Sequence, residues 1–288
     1  MPHSYYVVMA FVAATALLSW GFYRRAAADR PPIGVVTLRD VAILLIVLVL
    51  LPYLYLNLPV AAVTTVLALG VLTAMYVTLE PALRRAWLAW TTGVGLVAAD
   101  ITLGVSQGVT GAPFLVINNI IMVITIVGAT NLWAQSGMRA RDVTVLAAGL
   151  TVYDVIATQW LSVMTDVMQR LSTAPLVPIV AWGLADERTA LRIGLGDLLL
   201  LTVFPLVMRK AFGRTAGVVA LAIGLATPAV ILGVLAATGA TVPVPAMAFL
   251  GPSMVAQYLW WRRTRTRERT TREYLLAEPA PQRLWQRA

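Results

Sequence analysis

Residues 143–164 read VTVLAAGLTVYDVIATQWLSVM, a stretch in which Asp154 is the only formal charge. A run of that length is long enough to cross the hydrocarbon core of a bilayer as a helix. An acid held at such depth is costly, and so it points to function. Forty-three positions later Asp197 ends the run Gly194-Leu195-Gly196-Asp197 and opens another apolar stretch. Two such acids, each in a distinctive local setting, suggest a catalytic pair.

The rest of the chain has the same character. Of its 288 residues, 59% are hydrophobic and 12% charged, against about 45–50% and about 25% in soluble domains. Apolar runs fall at 5–23, 40–56, 59–79, 86–105, 114–133, 143–164, 195–208, 215–238 and 244–261. The expected fold class is therefore all-α: a polytopic membrane protein of nine transmembrane helices within residues 1–261, followed by a basic tail at 262–288. At about 20 apolar residues per crossing, no sizeable soluble domain fits. Pro52, Pro205 and Pro228 lie inside runs, where neighbouring helices must resatisfy the freed backbone groups. No positive charge precedes the first run, and Arg24-Arg25 follow it. That is the reverse of a secretory leader, so the run reads as a retained helix.

Arginines set the orientation. Arg24, Arg25, Arg30 and Arg39 follow the first run, Arg84 and Arg85 the third, Arg139 and Arg141 the fifth, and Arg209, Lys210 and Arg214 the seventh. The loops after the second, fourth and eighth runs carry no Lys or Arg, and the 165–193 loop balances three arginines with three acids. By the positive-inside rule the N-terminus is outside and the C-terminus inside. Arg262, Arg263, Arg265, Arg267, Arg269 and Arg272 follow Trp260-Trp261, a placement that suits anionic lipid at the cytoplasmic surface and not nucleic acid. An excess of 21 arginines over one lysine in an alanine-rich chain hints at a GC-rich prokaryotic genome, hence a plasma membrane location. No internal repeat is evident, which weakens a transporter reading.

This topology brings the acids to similar depth. Asp154 lies 13 residues beyond Arg141, about 20 Å along a helix axis and past the midplane. Asp197 lies within the first turn or so of a helix entering from outside. Two carboxylates close together in a low-dielectric site share one proton. The ionised acid can then take a proton from attacking water, and the protonated one can donate to an amide carbonyl oxygen. Cysteine is absent and the only histidine is His3, which removes thiol chemistry and any histidine-based metal or triad site. No metal and no cofactor is expected. Gly194 and Gly196 let backbone or substrate come close to Asp197; helix packing is the plainer explanation of such glycines.

Thr151-Val152-Tyr153-Asp154-Val155 resembles the Tyr-Asp motif of the presenilin and signal peptide peptidase family of intramembrane aspartyl proteases, and Arg192-Ile193-Gly194-Leu195-Gly196-Asp197 resembles its Gly-x-Gly-Asp motif. Pro245-Ala246-Met247 is similar to its Pro-Ala-Leu motif, with Met for Leu, an apolar replacement of similar volume. The motifs stand on the sixth, seventh and ninth runs, as in that family. The resemblance implies that Asp154 and Asp197 are the catalytic acids, with Tyr153, Gly194, Leu195, Gly196, Pro245, Ala246 and Met247 shaping the site and positioning substrate. An outside N-terminus resembles the signal peptide peptidase branch. That implies transmembrane peptide substrates of type II orientation, with no obligatory accessory subunit. A helical substrate must be unwound before its amides can react, and the extended segment can be held by strand addition. The 165–193 loop, with Pro175 and Pro178 amid Leu176, Val177, Ile179 and Val180, contains a candidate strand; a prolonged sixth helix followed by coil is the alternative.

Other polar residues invite plainer readings. Asp100 is expected to face Asn118, Asn119 or a hydroxyl within the bundle, or else to tune the pair or line a water path. The asparagines read as helix–helix contacts. Asp166 reads as solvated, Lys210 as an interfacial anchor, and tryptophans such as Trp20, Trp133, Trp160, Trp260 and Trp261 as an interfacial belt. Two rival functions use the same acids or none: a proton-coupled transporter or leak channel, and a non-catalytic binder of membrane helices.

Overall fold

A computed structural model describes residues 2–26, 38–159, 166–167, 170, 174–186, 190–239, 244–265, 267–270 and 273. Among them are nine α-helices: α1 (His3–Arg25), α2 (Leu38–Asn57), α3 (Val60–Leu83), α4 (Ala86–Gln107), α5 (Ala112–Gln135), α6 (Ala140–Gln159), α7 (Leu195–Phe212), α8 (Arg214–Thr238) and α9 (Met247–Thr264). Two short strands, β1 (Ile179–Trp182) and β2 (Leu191–Gly194), lie between α6 and α7. Six helices (α1 to α5 and α8) are long and apolar enough to cross a membrane. The chain is thus a largely helical, multi-pass membrane protein, and its helices fall close to the apolar runs.

Burial sorts the helices into layers. α2 buries only Val41 and Pro52 and α3 only four residues, so their apolar surfaces face outward, as a lipid solvent permits. α5 and α7 are buried along most of their length and form the centre. α7 packs on α8, α5, α6 and α1, while α9 lies along α6. Because lipid offers no hydrophobic incentive for helices to associate, close approach and interhelical hydrogen bonds must hold them. A Cβ on Gly128 of α5 would collide with the Ala74 carbonyl of α3, and one on Gly251 of α9 would collide with Thr151 Oγ of α6. Ser19 of α1 exchanges a 2.8 Å bond with Thr130 of α5 and accepts one of 3.0 Å from Asn131. Thr78 of α3 donates to the Ile124 carbonyl of α5 at 2.8 Å.

Two expectations change here, and part of a third lies outside the described residues. The ninth helix begins at Met247 instead of 244: Val244 and Pro245 are outside it and Ala246 is its N-cap, consistent with proline's preference for a helix entrance. The sixth is described to Gln159, and residues 160–164 of the expected span, including Trp160, lie outside the described residues. The 165–193 segment holds not a lone strand but an antiparallel hairpin, with Val180 opposite Ile193 and Trp182 opposite Leu191. Its second strand runs straight into α7.

Lys210 also departs from expectation. It is 4% exposed and donates to the carbonyls of Ala134 and Met138 at 3.2 and 3.1 Å, meeting acceptors that the end of α5 leaves open. A free interfacial anchor would be exposed. Its neighbour Arg209 stacks on Trp20, 5.1 Å from the ring centroid.

Candidate active site

Asp154 stands on α6 where that helix meets the start of α9. Its Oδ2 accepts the Met247 N–H at 3.1 Å and its Oδ1 the Thr158 hydroxyl at 3.3 Å. Met247 is the first residue of α9, and the first N–H groups of a helix have no partner within it and carry its positive end. A carboxylate from α6 therefore caps α9. Thr151, one turn earlier, reinforces the junction by donating to the Ala147 carbonyl at 2.8 Å and the Met247 carbonyl at 3.1 Å. The Pro245-Ala246-Met247 segment is thus bonded to the same turn of α6 that carries Tyr153 and Asp154. Tyr153 is half-buried, and its hydroxyl has no hydrogen-bond partner among the described residues.

Asp197 is the third residue of α7, whose N-cap is Gly194. Its carboxyl group lies back beside Gly194, where the acid of a capping box sits. A side chain at Gly194 would bring Cβ to 3.2 Å from Asp197 Oδ2, whereas one at Gly196 would meet nothing within 4 Å. A side chain at 194 would press on the acid's carboxyl; Gly196, which is exposed, leaves open space beside the acid. Leu195 donates its N–H to the Pro178 carbonyl at 2.9 Å, extending the hairpin to the helix entrance.

The two acids meet. α6 and α7 pack together, and the Asp154 and Asp197 carboxyl groups are near enough for their charges to interact. Both are half-buried. The site so formed has two carboxyls, a backbone donor on Asp154 and open space beside Gly196, groups of the kind that acid–base chemistry uses. No cluster of His, Cys, Asp or Glu suited to a metal ion occurs among the described residues.

The other polar residues are drawn to the hairpin. Asp100 is fully buried, but its partner is the Leu176 N–H at 2.8 Å, neither the asparagines nor a hydroxyl. Asn118 and Asn119 bond to the backbone of β1, so they are helix–strand and not helix–helix contacts. Asp166 is exposed. Sequence reasoning passed over Thr158, although its spacing of four from Asp154 on one helix face was a usable signal. It also passed over Glu268, whose carboxylate takes the Ala140 N–H at 2.9 Å, the Arg139 guanidinium at 3.5 Å and the Tyr258 hydroxyl at 3.3 Å. No protein-family model matches this sequence, and no curated protein matches it.

Proposed function

We propose that the chain is an intramembrane aspartyl endopeptidase, similar in kind to the presenilin and signal peptide peptidase proteases, which hydrolyses peptide bonds inside transmembrane segments or remnant signal peptides. The observation that carries this reading is the approach of Asp154 and Asp197 from two adjacent helices beside the open space at Gly196. In the proposed reaction the two carboxyls hold one proton between them. The ionised one removes a proton from water as oxygen attacks the amide carbon, and the protonated one donates to the carbonyl oxygen. Collapse of the tetrahedral intermediate breaks the C–N bond, with a proton passed to the departing amine. No metal or covalent intermediate is needed.

The arginine distribution supports nine spans with the N-terminus outside in a prokaryotic plasma membrane, and substrates of type II orientation. α6, α7 and α9, which are not among the six helices long and apolar enough to cross a membrane, carry the three motifs and pack together, where polar groups face protein instead of lipid. The tail arginines fit anionic lipid, and no accessory subunit is called for.

The test is incubation of the purified chain in lipid with a single-span type II peptide. Cuts within the hydrophobic segment, abolished by either Asp154→Ala or Asp197→Ala, are expected. Residual cleavage in either variant overturns the dyad. Solute or proton flux lost in Asp154→Asn, with no peptide cut, would establish the transporter reading instead.

A further inference from the structure

The chain beyond α9 turns back onto the bundle. Residues 262–272 carry six arginines, which suits a lipid surface, yet the acid among them faces inward. The Glu268 side chain is 7% exposed. Its Oε1 accepts the Ala140 N–H at 2.9 Å and stands 3.5 Å from Arg139 Nε, and its Oε2 accepts the Tyr258 hydroxyl at 3.3 Å. Ala140 is the first residue of α6, so its N–H has no acceptor within that helix. The next residue of the tail serves α7. The Arg269 N–H donates to the Ala211 carbonyl at 3.2 Å, one of the last four that α7 leaves open. Thr270 and Glu273 then close a capping box, each side chain accepting the other's backbone N–H, at 3.2 and 2.7 Å, which fixes the direction in which the segment leaves.

Two adjacent residues thus hold the ends, remote from the acids, of the two helices that carry Asp154 and Asp197. Their Cα atoms are about 3.8 Å apart, a short and fixed span. The arms that run from this span are equal. Asp154 lies fourteen residues along α6 from Ala140, and Asp197 lies fourteen residues along α7 from Ala211, in each case about 21 Å of helix. At the far end of the first arm Asp154 accepts the Met247 N–H, and α9 leads from Met247 back to Glu268. α6 is therefore clamped at both ends of that length. Lys210 ties α7 to the Met138 carbonyl in the turn before α6, at 3.1 Å; Glu268 and Arg269 carry the tie into α6 itself.

We propose that residues 267–270 are a strap that sets the register of α6 against α7, with Glu268 as a positioning residue for the acid pair. A helix that slides by one residue carries its acid about 1.5 Å along the axis, and a misplacement of about 1 Å can cost about a hundredfold in rate. The consequence for cleavage rests on the protease reading above; the register does not.

The chain has no cysteine, so two introduced cysteines can be labelled without background. Nitroxides at Val152→Cys and Arg192→Cys, both exposed positions close in sequence to the acids, report the register by pulsed electron resonance on the full chain in lipid nanodiscs. A narrow distance distribution is expected with the strap intact, and a shifted or broader one in Glu268→Ala. Glu268→Gln keeps an oxygen for the Ala140 N–H and should keep the distribution narrow. Arg269→Pro removes the second tie and should broaden it, whereas Arg269→Ala, which retains the N–H, should not; this pair carries the comparison if Glu268→Ala does not fold. Hydrogen exchange at Ala140 should quicken about tenfold or more in Glu268→Ala and stay slow in Glu268→Gln. A distribution unchanged by Glu268→Ala and by Arg269→Pro, or broadened equally by Glu268→Gln, overturns the proposal. With the type II peptide, Glu268→Ala should lower kcat about tenfold or more at unchanged KM, and Glu268→Gln should restore it. An unchanged kcat beside a shifted distribution overturns the positioning role. A parent protein that cuts nothing overturns the protease reading, and the distance distribution still decides whether the strap sets the register.

Discussion

Replacing Gly251 by alanine should act at the seam between α6 and α9, and its cost follows from three atoms. The new Cβ would collide with Thr151 Oγ, and it would lie 3.0 Å from the Ala147 carbonyl and 3.1 Å from Thr151 Cβ. Helix backbone yields little, so α9 must move away from α6. Overpacking of this kind costs about 1–3 kcal/mol. Thr151→Ala alone removes the hydroxyl bonds to Ala147 and Met247, worth about 1 kcal/mol net. Independent effects would sum to about 2–4 kcal/mol, but the worst contact of the first variant is with the atom that the second deletes. The double variant should therefore be more stable than the sum by about 1–2 kcal/mol, a coupling of the size expected for touching residues. Unfolding by titrated detergent gives the four stabilities, and peptide cleavage gives a parallel cycle. Retreat of α9 draws the Met247 N–H off Asp154, so Gly251→Ala should also cut slowly and the double variant should regain part of the rate. Additivity within about 0.5 kcal/mol would refute the claim that α9 is set by this contact.

Further outcomes follow from single contacts. Gly194→Ala crowds Asp197 Oδ2 and should reduce cleavage by tenfold or more (about 1.4 kcal/mol), whereas Gly196→Ala, facing open space, should leave unfolding within about 0.5 kcal/mol of the parent; equal losses of stability would contradict the distinction. Lys210→Met strands the Ala134 and Met138 carbonyls and should destabilise by about 1.5–3 kcal/mol, read in the same unfolding assay. Glu268→Ala frees the segment after α9 from Ala140 and Tyr258, so trypsin should cut at Arg267 or Arg269 faster than in the parent; unchanged digestion would show that the segment is held by other contacts, such as Arg269 N–H to the Ala211 carbonyl.

Helix positions and the two candidate acids could be read from the chain because both are local signals. An apolar run reports a span by its length alone, and Asp154 and Asp197 announce themselves as charges where charge is costly. What escaped reading depends on partners far away in sequence. Leu191-Arg192-Ile193-Gly194 looks like the approach to a helix, and its strand character comes from pairing with Ile179–Trp182. Those residues are in turn held by Asn119, sixty-two positions from Ala181. Asp100 serves a backbone N–H seventy-six positions on, and no periodicity connects the two. The start of α9 was misplaced for a different reason: hydropathy marks where a chain can sit in lipid, not where its hydrogen bonds begin.

The two acids share a structural logic beyond their nearness. Membrane interiors tolerate few free N–H groups, and a helix that starts there leaves its first N–H groups open. α7 starts directly after β2 and α9 directly after Ala246, and each start faces a carboxyl group: Asp197 lies beside Gly194, and Asp154 accepts the N–H of Met247. The helix entrances supply donors that an isolated acid in hydrocarbon would lack, and the acids satisfy donors that an isolated helix entrance would expose. A continuous helix through either point would leave its acid without that donor. Interrupted backbone is admissible within a membrane only where it is enclosed by protein or lines a watery cavity, and a hydrolytic site needs both enclosure and water. Convergence of two helix starts on two carboxyls thus ties the position of the hairpin, the glycine at 194 and the proline at 245 to one requirement: donors and acceptors must balance at the site proposed for hydrolysis.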